Sequence, residues 1–335
     1  MLQGQKIIAF TPCGRKRYMD LLAAHVVREQ AKGNIDEWIL FNNAYTTEDS
    51  TYADQLAARY PWITVFREAP KVAGDGQKFT WCRPEHIADF YKFMTQGEGV
   101  IYVRLDDDIV YIDENAIPNL IAYRMAHPEP FLVFPAIVNN VRTSYHMQQA
   151  GIIPNEWGHV ENEMCDEMAW KHSEFVFNLH QKALASIEAG TLVADFTLPS
   201  EQFTDWEAGH ISINCFAIFG KDMLECRVAK DEEGYLSLWR PQELRRQNAR
   251  AGDSLVIHFA YHTQTEFMDK SGMITDYAQL VKPLPFRTAR LAPPVWTPSE
   301  AEKPTPAQRR GMSHQNVLAH RQALYRRLQT TGQRA

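Results

Sequence analysis

Residues 100–108 read VIYVRLDDD, and this stretch decides the fold. Val100–Leu105 (VIYVRL) is a continuous apolar run of strand-forming residues with one arginine. It has the length and composition of a strand buried on both faces. Three carboxylates, Asp106, Asp107 and Asp108, follow at once. Adjacent carboxylates repel one another unless a cation or solvent compensates. In extended geometry Asp106 and Asp108 point to the same side, so they can share one hard divalent ion, Mg²⁺ or Mn²⁺. The plain alternative is an acidic turn that ends a strand.

Strand and helix signals alternate upstream. Lys6–Phe10 (KIIAF), Glu37–Phe41 (EWILF) and Ile63–Arg67 (ITVFR) read as strands. Tyr18–Lys32 carries Leu21, Leu22 and Val26 at helical spacing, Asp49–Arg59 reads as a second helix, and Pro84–Gln96 as a third with proline in its first turn. Strands separated by helices of this length indicate βαβ units, hence an α/β fold with a central, mostly parallel sheet flanked by helices. Ligands of such sheets bind beyond the carboxyl ends of the strands. The residues there are Thr11, Arg15 and Arg17 after the first strand, Asn42 after the second, Gly74–Lys78 (GDGQK, with Asp75 and Lys78) after the third, and the aspartates after the fourth.

Downstream, residues 135–172 show little periodicity. Ser173–Ala189 reads as a helix, Ile211–Phe219 as a strand, Leu236–Asn248 as a helix and Ser254–Ala260 as a strand. Leu284–Ala307 is proline-rich and reads as a linker, and Ser313–Gln329 as a terminal helix with a serine N-cap. The 335 residues carry a net charge of −6, unevenly spread. Residues 281–335 hold 10 Lys and Arg against 2 Asp and Glu, a net +8, which leaves −14 for residues 1–280. An acidic body argues against broad nucleic-acid wrapping. The basic tail suits an anionic surface, the acidic body or a second subunit, so a homo-oligomer through the terminal helix is one expectation. No run of 18 apolar residues suggests a membrane span. Five cysteines without a CxxC fit reduced thiols and a cytoplasmic setting.

Two nucleotide-binding classes are excluded by their missing loops. A P-loop needs GxxxxGK[ST] after the first strand, where this chain has Thr11–Tyr18 (TPCGRKRY), and the dinucleotide fingerprint GxGxxG is absent.

A nucleotide-binding half ending in a DxD, as in Asp106-Asp107-Asp108, resembles the GT-A glycosyltransferases, notably the family 2-like ones. Three further pieces resemble that fold in order and spacing over residues 5–265. They are Asn214–Lys221 (NCFAIFGK), the acidic stretch Asp231–Ser237 (DEEGYLS), and His258–Gln264 (HFAYHTQ). The resemblance implies a catalytic domain over 1–280, with a nucleotide-binding half at 1–110 and an acceptor half at 111–280, followed by the linker and helix of 281–335. It implies Mn²⁺ or Mg²⁺ on Asp106, Asp108 and His258, and a nucleotide diphosphate sugar donor held by Thr11, Arg15, Arg17, Asn42, Asp75, Lys78, Arg104, Asp106 and Asp107. Asp231 or Glu232 becomes the base for a hydroxyl acceptor. The acceptor class stays open among glycans, lipid-linked saccharides, proteins, small metabolites and modified nucleic acid. The motif reads DEE where the family has a Glu-Asp pair, which leaves the base unassigned. His258 and His262 lie about 13 Å apart in an extended strand, so at most one reaches the ion, and motif position favours His258. Trp157, His159, Glu161, Trp206, Glu207 and His210 suit an acceptor face, although tryptophan is also a routine core filler. A nucleotidyltransferase making a nucleotide sugar, or a non-catalytic nucleotide-sugar or glycan-binding module, are the alternatives.

Overall fold

The computed structural model describes residues 1–44, 46–66, 90–206, 209–228 and 231–281. The Gly74–Lys78 loop with Asp75 and Lys78, residues 84–89 of the helix expected at 84–96, Glu207, the proline-rich stretch and the terminal helix lie outside the described residues. The chain divides into two compact units, Met1–Arg287 and Thr288–Ala335, and every described residue belongs to the first.

Among the described residues nine strands form one mixed sheet: β1 (Lys6–Cys13), β2 (Glu37–Asn42), β3 (Ile63–Phe66), β4 (Val100–Leu105), β5 (Ile109–Ile112), β6 (Val133–Val138), β7 (Glu201–Gln202), β8 (Cys215–Phe219) and β9 (Ala249–His258). The order is β3-β2-β1-β4-β8-β6-β9-β5, with β7 on β9. β3, β2, β1 and β4 run parallel, as their sequence predicts. β4 and β6 are buried along their whole length. The helices Lys16–Ala31 and Thr47–Arg59 form where the apolar spacing places them. The expectation of strand from Ile211 is shortened, since β8 starts at Cys215, and β9 starts earlier than expected, at Ala249. Instead of one helix over 236–248, short helical segments cover Glu232–Leu244, with a wider-than-α turn at Tyr235–Trp239.

β8 is antiparallel to both neighbours. It shares a single register pair with β6, Val133 with Ala217, and the two strands then part. β4 and β5 are joined by a short turn yet stand far apart in the strand order. Four residues of chain reach about 14 Å at most, so the sheet curls enough to bring the start of β5 near the end of β4. Two apolar clusters pack against it, one with Phe10, Val103, Phe216, Ile137 and Val256, the other with Val110, Val138, Leu179 and Ile257, so alternate residues of β6 and β9 face different clusters.

Registry then places the functional groups. β8 descends beside β4 with Cys215 opposite Leu105, so Asn214 meets Asp106. β9 rises parallel to β6 with Ile257 opposite Val138, and β5 pairs Ile109 with His258. The turn before Ile109 therefore lies against the end of β9.

Candidate active site

Asp106, Asp107 and Asp108 form the β4–β5 turn, in which Ile109 N donates to the Asp106 carbonyl at 3.1 Å. They are not in extended geometry, so strand alternation does not place Asp106 and Asp108 on one side. Tertiary partners place each carboxylate instead.

Asp106 accepts from Arg104 Nε at 2.9 Å and from Asn214 Nδ2 at 3.3 Å. Asp107 accepts from Gly14 N at 2.9 Å and from Arg15 Nε at 3.2 Å on each oxygen, and it also pairs with Arg15 Nη2. Asp108 Oδ2 lies 2.9 Å from Arg15 Nη2 and 3.4 Å from His258 Nε2. Asp108 also accepts from Phe259 N through its carbonyl, at 2.9 Å. Arg104 continues to Glu232 Oε1 and to the Tyr91 hydroxyl, which itself donates to Glu232 at 2.5 Å. Groups from four distant parts of the sequence thus meet at one sheet edge: the Gly14–Arg15 turn, the aspartates, Glu232 and His258.

Charge does not balance there. Four carboxylates (Asp106, Asp107, Asp108, Glu232) face two guanidinium groups (Arg15, Arg104), a net −2 with His258 neutral. Burial pushes the Asp106 carboxyl up to about 6, with Asp108 and Glu232 adding repulsion against the pull of Arg104 and His258. Burial also opposes ionisation of Asp108, but Arg15 and His258 outweigh it and hold that carboxyl well below its usual range. His258 is held above its ordinary value, because the neighbouring Asp108 outweighs its burial.

The other expected site residues fall in different places. Thr11 is fully buried and accepts from Trp38 Nε1 at 3.0 Å, so it belongs to the core and not to a donor surface. Arg17 pairs with Asp269 at 2.7 Å and stacks on Tyr18, the ring that Arg15 also covers. Asn42 donates to Ser50 and accepts from Ala44 N, which closes its own loop. Asp231 caps the next helical turn, accepting from Gly234 N at 2.9 Å. His262 packs edge-on against Trp170, and the histidine that meets the aspartates is His258. His159 Nε2 and Glu161 Oε1 stand 3.2 Å apart, both side chains exposed.

Two features were not expected. The helix N-terminus after β1, the usual anion seat of nucleotide-binding folds, is taken by the protein's own acids: Asp107 on Gly14 N and Asp49 on Lys16 N at 2.8 Å. Asn139 and Asn140, just past β6, also reach the site's support. Asn140 donates to Asn214 Oδ1 at 2.9 Å, and the Asn139 carbonyl meets His258 Nδ1 at 2.9 Å. The rule of reading residues after strands finds this pair once VFPAIV is taken as a strand. Pro135 hides it, and the register shift beside Pro135 is the irregularity that lets proline sit there.

A divalent ion fits the donor chemistry. Two ligands bound at right angles to one ion stand about 3 Å apart, near the separation of Asp108 Oδ2 and His258 Nε2. Among the described residues no group of three or more His, Cys, Asp or Glu side chains forms a metal cage. Mg²⁺ and Mn²⁺ commonly take one or two protein ligands and complete their shell with phosphate oxygens and water.

The architecture is a mixed α/β fold with a central sheet flanked by helices and its polar site at the carboxyl ends of β4 and β9. No protein family matches the chain, and no curated protein matches it. Two solved structures are similar to parts of it. One is a 4-diphosphocytidyl-2C-methyl-D-erythritol synthase at 16% identity, over 40% of this chain and 60% of that one, with a TM-score of 0.29. The other, the same synthase from Anaerococcus prevotii DSM 20548, is 12% identical over 84% of this chain and 100% of that one, with a TM-score of 0.40. The chain thus spans 60% of the first structure's length. Likenesses this low carry no argument about activity. Among the described residues no helix is long and apolar enough to cross a membrane.

Proposed function

We propose that the chain is a metal-dependent transferase of nucleotide-sugar chemistry, a glycosyltransferase of GT-A type that moves a sugar from a nucleotide diphosphate sugar to an acceptor hydroxyl. The observation that carries this reading is the meeting of Asp108 with His258 inside a buried cluster where four carboxylates face two guanidinium groups. A bound Mn²⁺ or Mg²⁺ supplies charge neutralisation for a leaving diphosphate. Asp108 and His258 would hold it, with Asp106 beside them.

The chain's own residues account for the rest. Asp107 anchors the turn to Gly14 and Arg15, and Arg104 holds Asp106 and Glu232 together, so the cluster is preorganised. Glu232 is engaged by Arg104 and Tyr91 and is a weak candidate for a base. Asp231, whose side chain accepts from Gly234 N, is the better one for taking the acceptor proton. In a single displacement the anomeric configuration inverts.

The second reading is nucleotidyl transfer that makes a nucleotide sugar. That reaction brings a triphosphate and a phosphorylated partner together, which calls for surplus positive charge. Among the described residues, Arg15, Arg17 and Arg104 at this edge are each paired with a carboxylate.

Product analysis separates the two. The protein is screened for thermal stabilisation by nucleotide sugars with Mn²⁺, and the stabilising donor is then incubated with candidate acceptors. Free nucleoside diphosphate supports glycosyl transfer. Pyrophosphate released from a nucleoside triphosphate and a sugar phosphate replaces it with the second reading. Stabilisation without turnover of any donor leaves a binding module.

A further inference from the structure

We infer that Asn139 is a positioning residue that sets the tautomer and aim of the His258 ring; its use in metal binding rests on the function proposed above. β6 ends at Val138, opposite Ile257. The next residue, Asn139, is 1% exposed and takes a left-handed backbone with φ 61°. That conformation is unfavourable for most side chains and is tolerated by asparagine. It turns the Asn139 carbonyl onto His258 Nδ1, at 2.9 Å.

A carbonyl only accepts, so Nδ1 must carry the hydrogen. Asp108 is an acceptor too, 3.4 Å from Nε2, so in the neutral ring the closer Asn139 carbonyl keeps the hydrogen on Nδ1 and Nε2 is left with its lone pair. The Asn139 side chain secures the same segment. Its Nδ2 donates to the Phe259 carbonyl at 2.9 Å and to Gln264 Oε1 at 3.3 Å. Both partners are acceptors there, since Gln264 Oε1 also receives Tyr261 N and Gln264 Nε2 donates to Ala169. Flipping the amide would set oxygen against two oxygens, so its orientation is determined. The consequence is a buried Asn139 Oδ1 without a hydrogen-bond partner. A left-handed backbone and an orphaned oxygen thus coincide at one residue, and local strain of this kind collects where the surroundings demand one geometry. Tyr261 packs edge-on against the His258 ring at 4.9 Å, which leaves the ring little freedom to rotate.

The test uses the full chain labelled with ¹⁵N-histidine, metal-free, at alkaline pH where the ring is neutral. His258 is assigned by comparison with His258→Gln. Wild type should show one tautomer, hydrogen on Nδ1 and a bare Nε2. Asn139→Ala, which disfavours the left-handed backbone, should mix the tautomers and weaken Mn²⁺ binding 10- to 100-fold, as loss of a ligand's outer hydrogen bond does. Free Mn²⁺ is read by electron paramagnetic resonance. Asn139→Gly, which keeps that backbone and its carbonyl, should retain the Nδ1–H tautomer, and it also serves where the alanine variant does not fold. A wild-type ring with hydrogen on Nε2 overturns the inference. So does a folded Asn139→Ala that keeps the single tautomer, or an Asn139→Gly that loses it. A residue-139-dependent tautomer in a protein that binds no Mn²⁺ upholds the positioning role and removes the metal reading alone.

Discussion

Replacing Arg104 with methionine tests whether the site's charge network is coupled as its geometry implies. The Arg104 side chain is 6% exposed and serves Asp106, Glu232 and Tyr91 at once. Removing one partner of a buried ion pair costs about 3–5 kcal/mol, because the surviving charge is left uncompensated. Here two carboxylates survive, so the expected loss at pH 8 lies at the upper part of that range. The pH dependence has a definite sign. Asp106 titrates at about 6 in the folded protein, above its ordinary value, so its contribution to stability is fully present at low pH and is lost as pH rises through about 6. Arg104 restrains that rise, and without it the folded value climbs further. At pH 5 Asp106 is already mostly protonated in both proteins, so the penalty there should be smaller by about 1 kcal/mol or more. Urea denaturation of both proteins in chelator at pH 5 and pH 8 reads the difference. A second change, Glu232→Gln, should recover part of the loss, with a coupling of about 1–3 kcal/mol. A penalty under about 1 kcal/mol at pH 8, or one that grows on acidification, refutes the reasoning.

Asp108→Asn and His258→Gln should each lower Mn²⁺ affinity at least about 10-fold and suppress turnover, measured by Mn²⁺ titration and donor consumption. Wild-type turnover undiminished in excess chelator would remove the ion from the reaction. Asp231→Ala should cost about 1 kcal/mol through loss of its cap on Gly234, and turnover should fall about 10²-fold if the same carboxylate takes the acceptor proton; loss of stability alone would make Asp231 a cap only. His180 is buried between Tyr277 and the Phe259 carbonyl, and burial lowers it to about 4. The unfolded chain therefore takes up a proton that the folded one refuses, so stability falls as pH drops from about 6.5 to about 4, by up to about 3 kcal/mol. His180→Gln should flatten that slope in denaturation curves, and an unchanged slope would assign it to other groups.

The parallel half of the sheet was legible because its order is local. β1, β2 and β4 are apolar runs separated by helix-length segments, and burial on both faces leaves no other composition open to them. β6 was not legible. Its Pro135 speaks against a strand, and only pairing with β9 across a register shift makes room for it. The reversal of β8 was equally silent, since a strand's direction depends on which edge its connection reaches and leaves no mark in its own residues.

The site divides along the same line. From sequence alone, the strand-terminal Asp106–Asp108 could be singled out, because unbalanced carboxylates at the end of an apolar run are a local chemical fact, whereas Asp231–Glu233 and His258 stood out through the resemblance to the GT-A fold. Tertiary structure decided what each of them does. A turn in place of a strand gave the three aspartates three different sets of partners. Thr11 and Trp38 went to the core together, and Asp231 went to a helix start. Arg104 was committed to Glu232, 128 residues away, and the pairing of β5 with β9 brought Asp108 to His258. Charge and residue type are properties of single positions, whereas neutralisation, hydrogen-bond partner and aim are properties of pairs, and pairs this far apart in the chain exist only once the sheet has closed.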